Sequence, residues 1–122
     1  MIVEERMYTM HVGKLPEFLE TYEREALPLL RRHLGNQLGF FINEIGTPLN
    51  TIVHFWVYES HEDRERRHKA LAADPAWPAY RAKNQPRMLH QENRVMRPAP
   101  FFEPILREML KAAKAVTPSS SK

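Results

Sequence analysis

The alternation of apolar and polar residues along the chain predicts four β-strands. Four segments mix β-branched, aromatic and alternating polar residues in the way that strands do: 2–10 (IVEERMYTM), 38–45 (LGFFINEI), 51–58 (TIVHFWVY) and 87–97 (RMLHQENRVMR). The stretch GTPLN at 46–50 carries glycine and proline, which are typical of a turn. We therefore expect the second and third strands to form a hairpin with a long loop.

A long helix is predicted between the first two strands. From Leu15 to Leu34 the apolar residues recur at the i, i+3, i+4, i+7 spacing of one helix face. Pro16 suits the first helical turn, whereas Pro28 removes a backbone hydrogen bond in the middle of the pattern. The sequence thus predicts a helix with a kink at Pro28 that ends at Gly35.

A second helical region is predicted between the third and fourth strands. The segment SHED at 60–63 matches a capping pattern and predicts a helix from His61 to Ala72. The Asp74-Pro75 pair repeats a cap followed by proline, and predicts a short helix that carries Trp77 and ends before Pro86. Residues 101–115 then form an amphipathic pattern, which predicts an additional helix.

We divide the chain into a domain of residues 1–98 and a helical tail of residues 99–122, whose last residues, TPSSSK, are expected to be disordered. In the domain, the order strand, helix, strand, strand, helix, strand is that of the ferredoxin-like βαββαβ sandwich, an α+β fold. In this fold the first and third strands are central neighbours, and both helical regions cover one face of the sheet. The other face needs a different cover.

The third strand raises the question of which face lies under the helices. Because side chains alternate along a strand, its two sets are Val53, Phe55 and Val57 on one face and His54, Trp56 and Tyr58 on the other. The first set suits close packing under helices. The second carries too much aromatic surface to be left in water, since at about 25 cal/mol per Å² two exposed large aromatic side chains would forgo several kcal/mol.

We therefore expect the face of His54, Trp56 and Tyr58 to be covered by the same face of a second copy, which makes the protein a homodimer. The competing cover is the tail helix. Alternation by itself does not decide the side: if this face lies under the helices, its polar residues form a pocket within one subunit, and if it meets the partner, they belong to the interface.

The candidate site consists of polar and aromatic residues on this face and near it. The predicted catalytic residues are His54, Arg6 and Tyr8, and the predicted pocket-lining residues are Glu4, Trp56, Tyr58, Trp77 and Arg94. In this hypothesis Arg6 holds a carboxylate or enolate by paired donors, His54 transfers a proton near neutral pH and Trp56 supplies a flat wall. In the alternative, Glu4 and Arg6 form an ion pair in the dimer interface, and Trp77 is a core residue.

Composition argues against several classes of function. The chain has no cysteine, and its 18 Lys and Arg against 15 Asp and Glu are interspersed, which is not typical of a nucleic-acid-binding face. No histidines have the i, i+3 or i, i+4 spacing of a helical metal site, and no glycine-rich phosphate loop is present. We therefore expect no metal and no cofactor. No apolar run reaches the length of a membrane span, and Met1 leads directly into a strand, so a cytoplasmic protein is expected.

Three blocks carry a resemblance to a known family: YTMHVGKLPEFLETYEREALPLLRRHLG, GFFINEIGTPLNTIVHFWVYES, and ALAADPAWPAYRAK followed by QENRVMRP. Together they resemble the NIPSNAP family, whose members are similar in fold to dimeric α+β barrels, and the match runs from about Ile2 to Pro98. The resemblance implies a ferredoxin-like subunit whose sheet stacks on that of a second subunit. It brings no generally accepted catalytic set.

Two hypotheses of function follow. In the first, the protein is a homodimer that binds a small organic molecule and carries out cofactor-free chemistry of the monooxygenase or isomerase type. In the second, it is a non-catalytic structural or protein-interaction module, and the polar cluster serves only the dimer interface.

Overall fold

The structure, a computed structural model, describes residues 1–116, and the predicted disordered end lies outside them. Its strands are β1 (Ile2–Met10), β2 (Asn36–Ile42), β3 (Thr51–Tyr58) and β4 (Met88–Met96). Its α-helices are α1 (Leu15–Thr21), α2 (Leu27–His33), α3 (His61–Ala73), α4 (Ala76–Asn84) and α5 (Glu103–Val116). A π-helical turn (Tyr22–Ala26) joins α1 to α2, and a 3₁₀ turn (Gln85–Arg87) follows α4.

The four strands form one antiparallel sheet in the order β2-β3-β1-β4. The predicted α+β, ferredoxin-like fold is therefore confirmed, with β1 and β3 as central neighbours. The register places Arg6 directly between His54 on β3 and Asn93 on β4. Directly opposed residues share a face of the sheet, so these three side chains lie on the same side.

The first helix is interrupted one turn before the predicted kink. At the π-helical turn the backbone N–H of Leu27 donates to the carbonyl of Tyr22, five residues back. This wider turn lets a new helix begin at Leu27, which places Pro28 in the first turn of α2. A proline there forfeits no helical hydrogen bond, which accounts for the position of the irregularity.

Side-chain caps start the next two helices as predicted. The Ser60 hydroxyl accepts a hydrogen bond from the backbone N–H of Asp63 at 3.0 Å, and Asp74 accepts from the backbone N–H of Ala76 at 3.0 Å. The second strand lies two to three residues earlier than predicted, because Gly35, at φ +87°, ends α2 and lets the strand start at once.

The expected assignment of the two sheet faces is wrong. His54, Trp56 and Tyr58 are buried under the chain's own helices, where they join one core with residues of α1, α3 and α4. Two causes explain this. The helical segments supply aromatic partners for these rings, and polar side chains on α3 form hydrogen bonds with Glu4 and Tyr58 on the same face.

The opposite face is covered in part by the tail helix. Leu106 and Leu110 of α5 pack on Val3 and Val57, so the tail does fold over the sheet, but on the face opposite to the aromatic set. The remainder of this face stays partly exposed, and its apolar residues are Met7, Phe41, Val53 and Phe55.

Candidate functional site

A cavity of about 300 Å³ lies between the helix-covered face of the sheet and the helices. Its floor consists of sheet residues, and its walls come from the helical segments. The floor is formed by Arg6, Tyr8, His54 and Trp56. The walls include Phe18, Tyr22, Leu30, Leu71, Trp77 and Tyr80. A polar floor under mainly apolar walls is the usual composition of a small-molecule site.

Beneath the floor lies a buried carboxylate, that of Glu4. Arg64 on α3 donates to both of its oxygens, at 3.0 and 2.8 Å, while Arg6 and Asn93 donate to Oε2 at 3.0 Å each. Burial on its own would raise the pKa of Glu4, but His68, Arg64 and the charge of Arg6 outweigh it and hold this pKa well below its ordinary value. Glu4 is therefore an anion at neutral pH that is saturated by protein donors.

The guanidinium of Arg6 connects this carboxylate to the cavity. Its Nε donates to the Tyr8 hydroxyl at 2.7 Å and its Nη1 donates to Glu4 at 3.0 Å, whereas Nη2 has no hydrogen-bond partner among the described residues. Burial alone would lower the pKa of Arg6, but Tyr8 and Glu4 raise it. Arg6 and Arg64 share the single negative charge of Glu4, so this cluster carries an excess positive charge next to the cavity.

His54 lies opposite Arg6 and is held as a neutral ring. The indole Nε1–H of Trp56 donates to its Nδ1 at 2.9 Å, and because an indole N–H can only donate, the proton of the neutral imidazole is on Nε2. Burial, assisted by the charge of Arg6, lowers the pKa of His54 to about 3. The predicted proton transfer near neutral pH does not suit such a ring. His54 is instead a fixed hydrogen-bond donor.

That donor has no acceptor. Nε2 of His54 is buried and makes no hydrogen bond among the described residues. The ring is held between Tyr8, at a centroid distance of 5.0 Å, and Phe40, at 5.2 Å. The Tyr8 hydroxyl already accepts from Arg6, which leaves its own proton free to be donated. Arg6, Tyr8 and His54 thus bring three hydrogen-bond donors to the group of residues that form the floor of the cavity.

Two other predicted lining residues lie close to the cavity in different positions. Trp77 lines it and stacks on Tyr80 with a centroid distance of 5.3 Å, so it belongs to both the wall and the edge of the core. Tyr58 is fully buried beside the cavity lining, where its hydroxyl forms a hydrogen bond of 3.1 Å with His68.

Arg94, also predicted to line the pocket, lies on the opposite face of the sheet. Its Nε lies 2.9 Å from Oε1 of Glu5 in an ion pair, and its side chain is largely exposed. The register explains the error, because Asn93 stands opposite Arg6 and takes the position on the cavity side, while Arg94 stands opposite Glu5. The sequence ENR at 92–94 of β4 places polar residues on both faces of the sheet. The pattern alone therefore could not show which of them faces the cavity.

Sequence reasoning missed Arg64, which lies on the helix predicted from His61 to Ala72. Arg64 and His68 are four residues apart on α3 and share the helix face that meets Glu4. A usable signal was present: a carboxylate on a strand face that is covered by helices needs a counter-charge, and the spacing of Arg64 and His68 offered two basic side chains on one helix face.

Within residues 1–116, no group of three or more His, Cys, Asp or Glu side chains is placed to hold a metal ion. Of the helices within residues 1–116, none has the length and apolarity needed to cross a membrane.

Comparison with known proteins shows the family. The NIPSNAP family model matches residues 3–103. The chain belongs to the NIPSNAP family. The human protein NipSnap homolog 3A is 36% identical over 74 residues, which are 61% of this chain and 29% of that protein. The NipSnap homolog of Dictyostelium discoideum is 33% identical over 95 residues, which are 78% of this chain and 41% of that protein. The chain thus spans less than half the length of these curated relatives.

Solved structures show the same fold. A NIPSNAP family protein from Agrobacterium tumefaciens has a TM-score of 0.79 at 39% identity, over 83% of this chain and 90% of that chain. A NIPSNAP domain protein from Burkholderia xenovorans has a TM-score of 0.78 at 37% identity, over 83% and 97%. The cofactor-independent oxygenase SnoaB from Streptomyces nogalater has a TM-score of 0.54 at 15% identity, over 80% and 91%, which is a likeness of fold alone.

Proposed function

We propose that this NIPSNAP protein binds a small organic molecule in the cavity between sheet and helices. Arg6, Tyr8 and His54 anchor the ligand by donating hydrogen bonds to its oxygen atoms. The observation that carries the proposal is the buried Nε2–H of His54, which has no partner among the described residues although His54 lines the cavity. A buried donor without a partner costs roughly 1–3 kcal/mol, and a ligand oxygen would remove that cost.

The chemistry that this donor set would serve is stabilisation of an enolate, which forms when a carbon next to the ligand's carbonyl group loses a proton to solvent water. A neutral imidazole N–H and a guanidinium that face a carbonyl oxygen favour the form in which this oxygen carries negative charge. Isomerases and cofactor-free monooxygenases both use such a step, and no cofactor enters the proposal. The argument comes from the donors in this chain, since the likeness to SnoaB concerns the fold.

The proposal includes a homodimer formed through the other face of the sheet. Phe41 is 60% exposed there, next to the partly exposed Met7, Val53 and Phe55, and the same face of a second copy would bury them. Light scattering at micromolar concentration tests this, with Val53→Asp expected to give a monomer. A wild-type monomer would contradict it. A cytoplasmic location is also proposed and is tested by cell fractionation.

Native mass spectrometry of the freshly purified protein tests ligand binding. We expect a subunit that carries additional small-molecule mass, and we expect Arg6→Met to lose it. The matched control is Arg94→Met, which also removes an arginine paired with a glutamate, but from the opposite face of the sheet.

The second hypothesis, a structural or interaction module, predicts a different pattern. If the polar cluster only joins subunits, Arg6→Met weakens the dimer and no small molecule accompanies the wild type. The position of Glu4 and His54 under the chain's own helices favours the ligand hypothesis over this one.

A further inference from the structure

We infer that the ligand is the anion of a flat aromatic acid about two rings in size, with its charged oxygens on Arg6, Tyr8 and His54. This inference rests on the proposed function of the cavity as a ligand site. Three properties of the cavity lead to it: the sign of its charge, the shape of its walls and its volume.

The charge of the lining favours an anion. Among the described residues that line the cavity none is Asp or Glu, whereas Arg6 lies at the floor and Arg81 at the exposed rim. Glu4 does not offset this, because its one charge is shared between Arg6 and Arg64. An acid that brings its own negative charge would balance the excess.

The chemistry of the floor agrees with this choice. Within residues 1–116, the floor groups without a hydrogen-bond acceptor are the Arg6 Nη2, the Tyr8 O–H and the His54 Nε2–H, and all of them donate. A neutral amide or alcohol would leave donor facing donor at some of these positions. A carboxylate or phenolate oxygen accepts several hydrogen bonds, and those bonds are roughly twice as strong as neutral ones.

The walls favour a flat ring over a flexible chain. Trp77 and Tyr80 stack with an interplanar angle of 29°, and Phe18 and Tyr22 stack at 24°. Both pairs line the cavity and offer aromatic surface to a bound molecule. Aromatic rings gain more from such surfaces than their buried area alone provides.

The volume sets the size of the ring system. A dry protein cavity of about 150 Å³ is known to hold benzene. The cavity here is about 300 Å³, twice as large, which corresponds to two fused rings with a short acidic substituent.

Calorimetric titration with 2-naphthoate tests the inference. The comparison ligands are 2-naphthamide, which has the same shape without charge, and undecanoate, a flexible acid with the same number of carbon atoms. We expect 2-naphthoate to bind at least about tenfold more tightly than either, because it alone has both the charge and the flat shape. Arg6→Met should abolish the preference for the acid over the amide, while Arg94→Met should retain it.

The remaining outcomes separate this inference from the proposed function. Equal affinity for acid and amide would overturn the anionic ligand, and undecanoate binding as tightly as 2-naphthoate would overturn the flat ring, yet in both cases the cavity would bind ligands. If no probe binds although native mass spectrometry finds a bound molecule, only the aromatic-acid inference fails. If neither is observed, both proposals fail.

A second variant tests the inference independently if Arg6→Met does not fold. Tyr8→Phe keeps the ring packing and removes the hydroxyl, which is one donor of the floor and also the acceptor of the Arg6 Nε–H. We expect it to weaken 2-naphthoate binding several-fold with little effect on the amide. Unchanged binding of 2-naphthoate by this variant would count against the assigned position of the charged end.

Discussion

Glu4 and Glu5 are adjacent in the sequence and both pair with arginine, but on opposite faces of the sheet. Glu4 is completely buried and binds Arg64 with two hydrogen bonds, whereas Glu5 pairs with the largely exposed Arg94. Buried charges are costly unless fully paired, while exposed pairs contribute little. The same kind of pair is therefore an organising element of the cavity floor on one face and a minor surface contact on the other.

The helices that pack on the two faces of the sheet also differ. The cavity side is covered by α1 to α4, whose side chains supply aromatic rings and cations, and it contains the polar groups that we assign to ligand binding. The other side is covered in part by α5, which supplies Leu106 and Leu110. The elements that cover a face, more than the composition of the strand, therefore decide what that face can do.

The largest expected effect comes from breaking the buried pair. Glu4→Gln leaves Arg6 and Arg64 without their counter-charge, and we expect the free energy of unfolding to fall by about 3 kcal/mol. Glu5→Gln is the matched control, with an expected loss below about 1 kcal/mol. Urea denaturation of both variants measures the difference. Equal losses would show that the two faces are energetically alike.

The next largest expected effect on stability comes from shortening a side chain of α5 that packs on the sheet. Leu106 is 1% exposed, and Leu106→Ala should destabilise the packing of α5 by about 2–3 kcal/mol. Its neighbour Ile105 is 50% exposed, so Ile105→Ala should cost less than about 0.5 kcal/mol in the single subunit. Hydrogen exchange of the α5 amides is the measurement. Loss of protection confined to α5 is expected, with the cavity side unchanged.

The buried His54 on the cavity side should make the stability of the protein depend on pH. The pKa of His54 is lowered from 6.5 to about 3, so between these values the unfolded state binds more protons than the folded state. The free energy of unfolding therefore falls as the pH decreases from 6.5, by about 1–2 kcal/mol between pH 6.5 and 5. Denaturation at several pH values checks the slope.

The variants for this pH prediction are both histidine to glutamine. His54→Gln should remove the slope, because the amide does not titrate and can still accept from Trp56. His11→Gln, at an exposed position before the first helix, should retain the wild-type slope. A slope that survives His54→Gln would contradict the assignment.

The smallest effect is spectroscopic and requires no change in stability. Nitrogen NMR of the wild-type protein should show His54 as the neutral tautomer with its proton on Nε2, and this state should persist from pH 8 to pH 5. Protonation of Nδ1 in that range would mean that Trp56 does not set the tautomer, and it would contradict the role of His54 as a hydrogen-bond donor.

Local signals in the sequence predicted most of the elements correctly. The Ser60 cap, the Asp74 cap and the alternation of residues 51–58 depend on neighbours within a few positions, so the pattern itself contains the information. The sequence predicted a kink at Pro28, but the irregularity in the structure is the π-helical turn that precedes this residue. The proline is visible in the sequence, but the backbone conformation that accommodates it at the lowest free energy depends on the packing around it.

The sequence grouped some of the residues that line the cavity. The sequence grouped Arg6, Tyr8 and His54 correctly, because residues that alternate along neighbouring strands share a face. It missed Arg64 and misplaced Arg94. Both errors concern contacts with residues of another element, which a local pattern does not reveal. A shift of one residue in β4 register exchanges the faces, and nothing in the strand itself specifies that register.

The sequence by itself determined the order of elements, the ferredoxin-like arrangement and the two sets of side chains on β3, because these follow from periodicity, caps and strand alternation. Only the tertiary structure decided which set lies under the helices, and with it the neutral state of His54 and the pairing of Glu4. Those properties depend on burial and on charges that come from distant parts of the chain, and such contacts exist only once the helices have packed on the sheet.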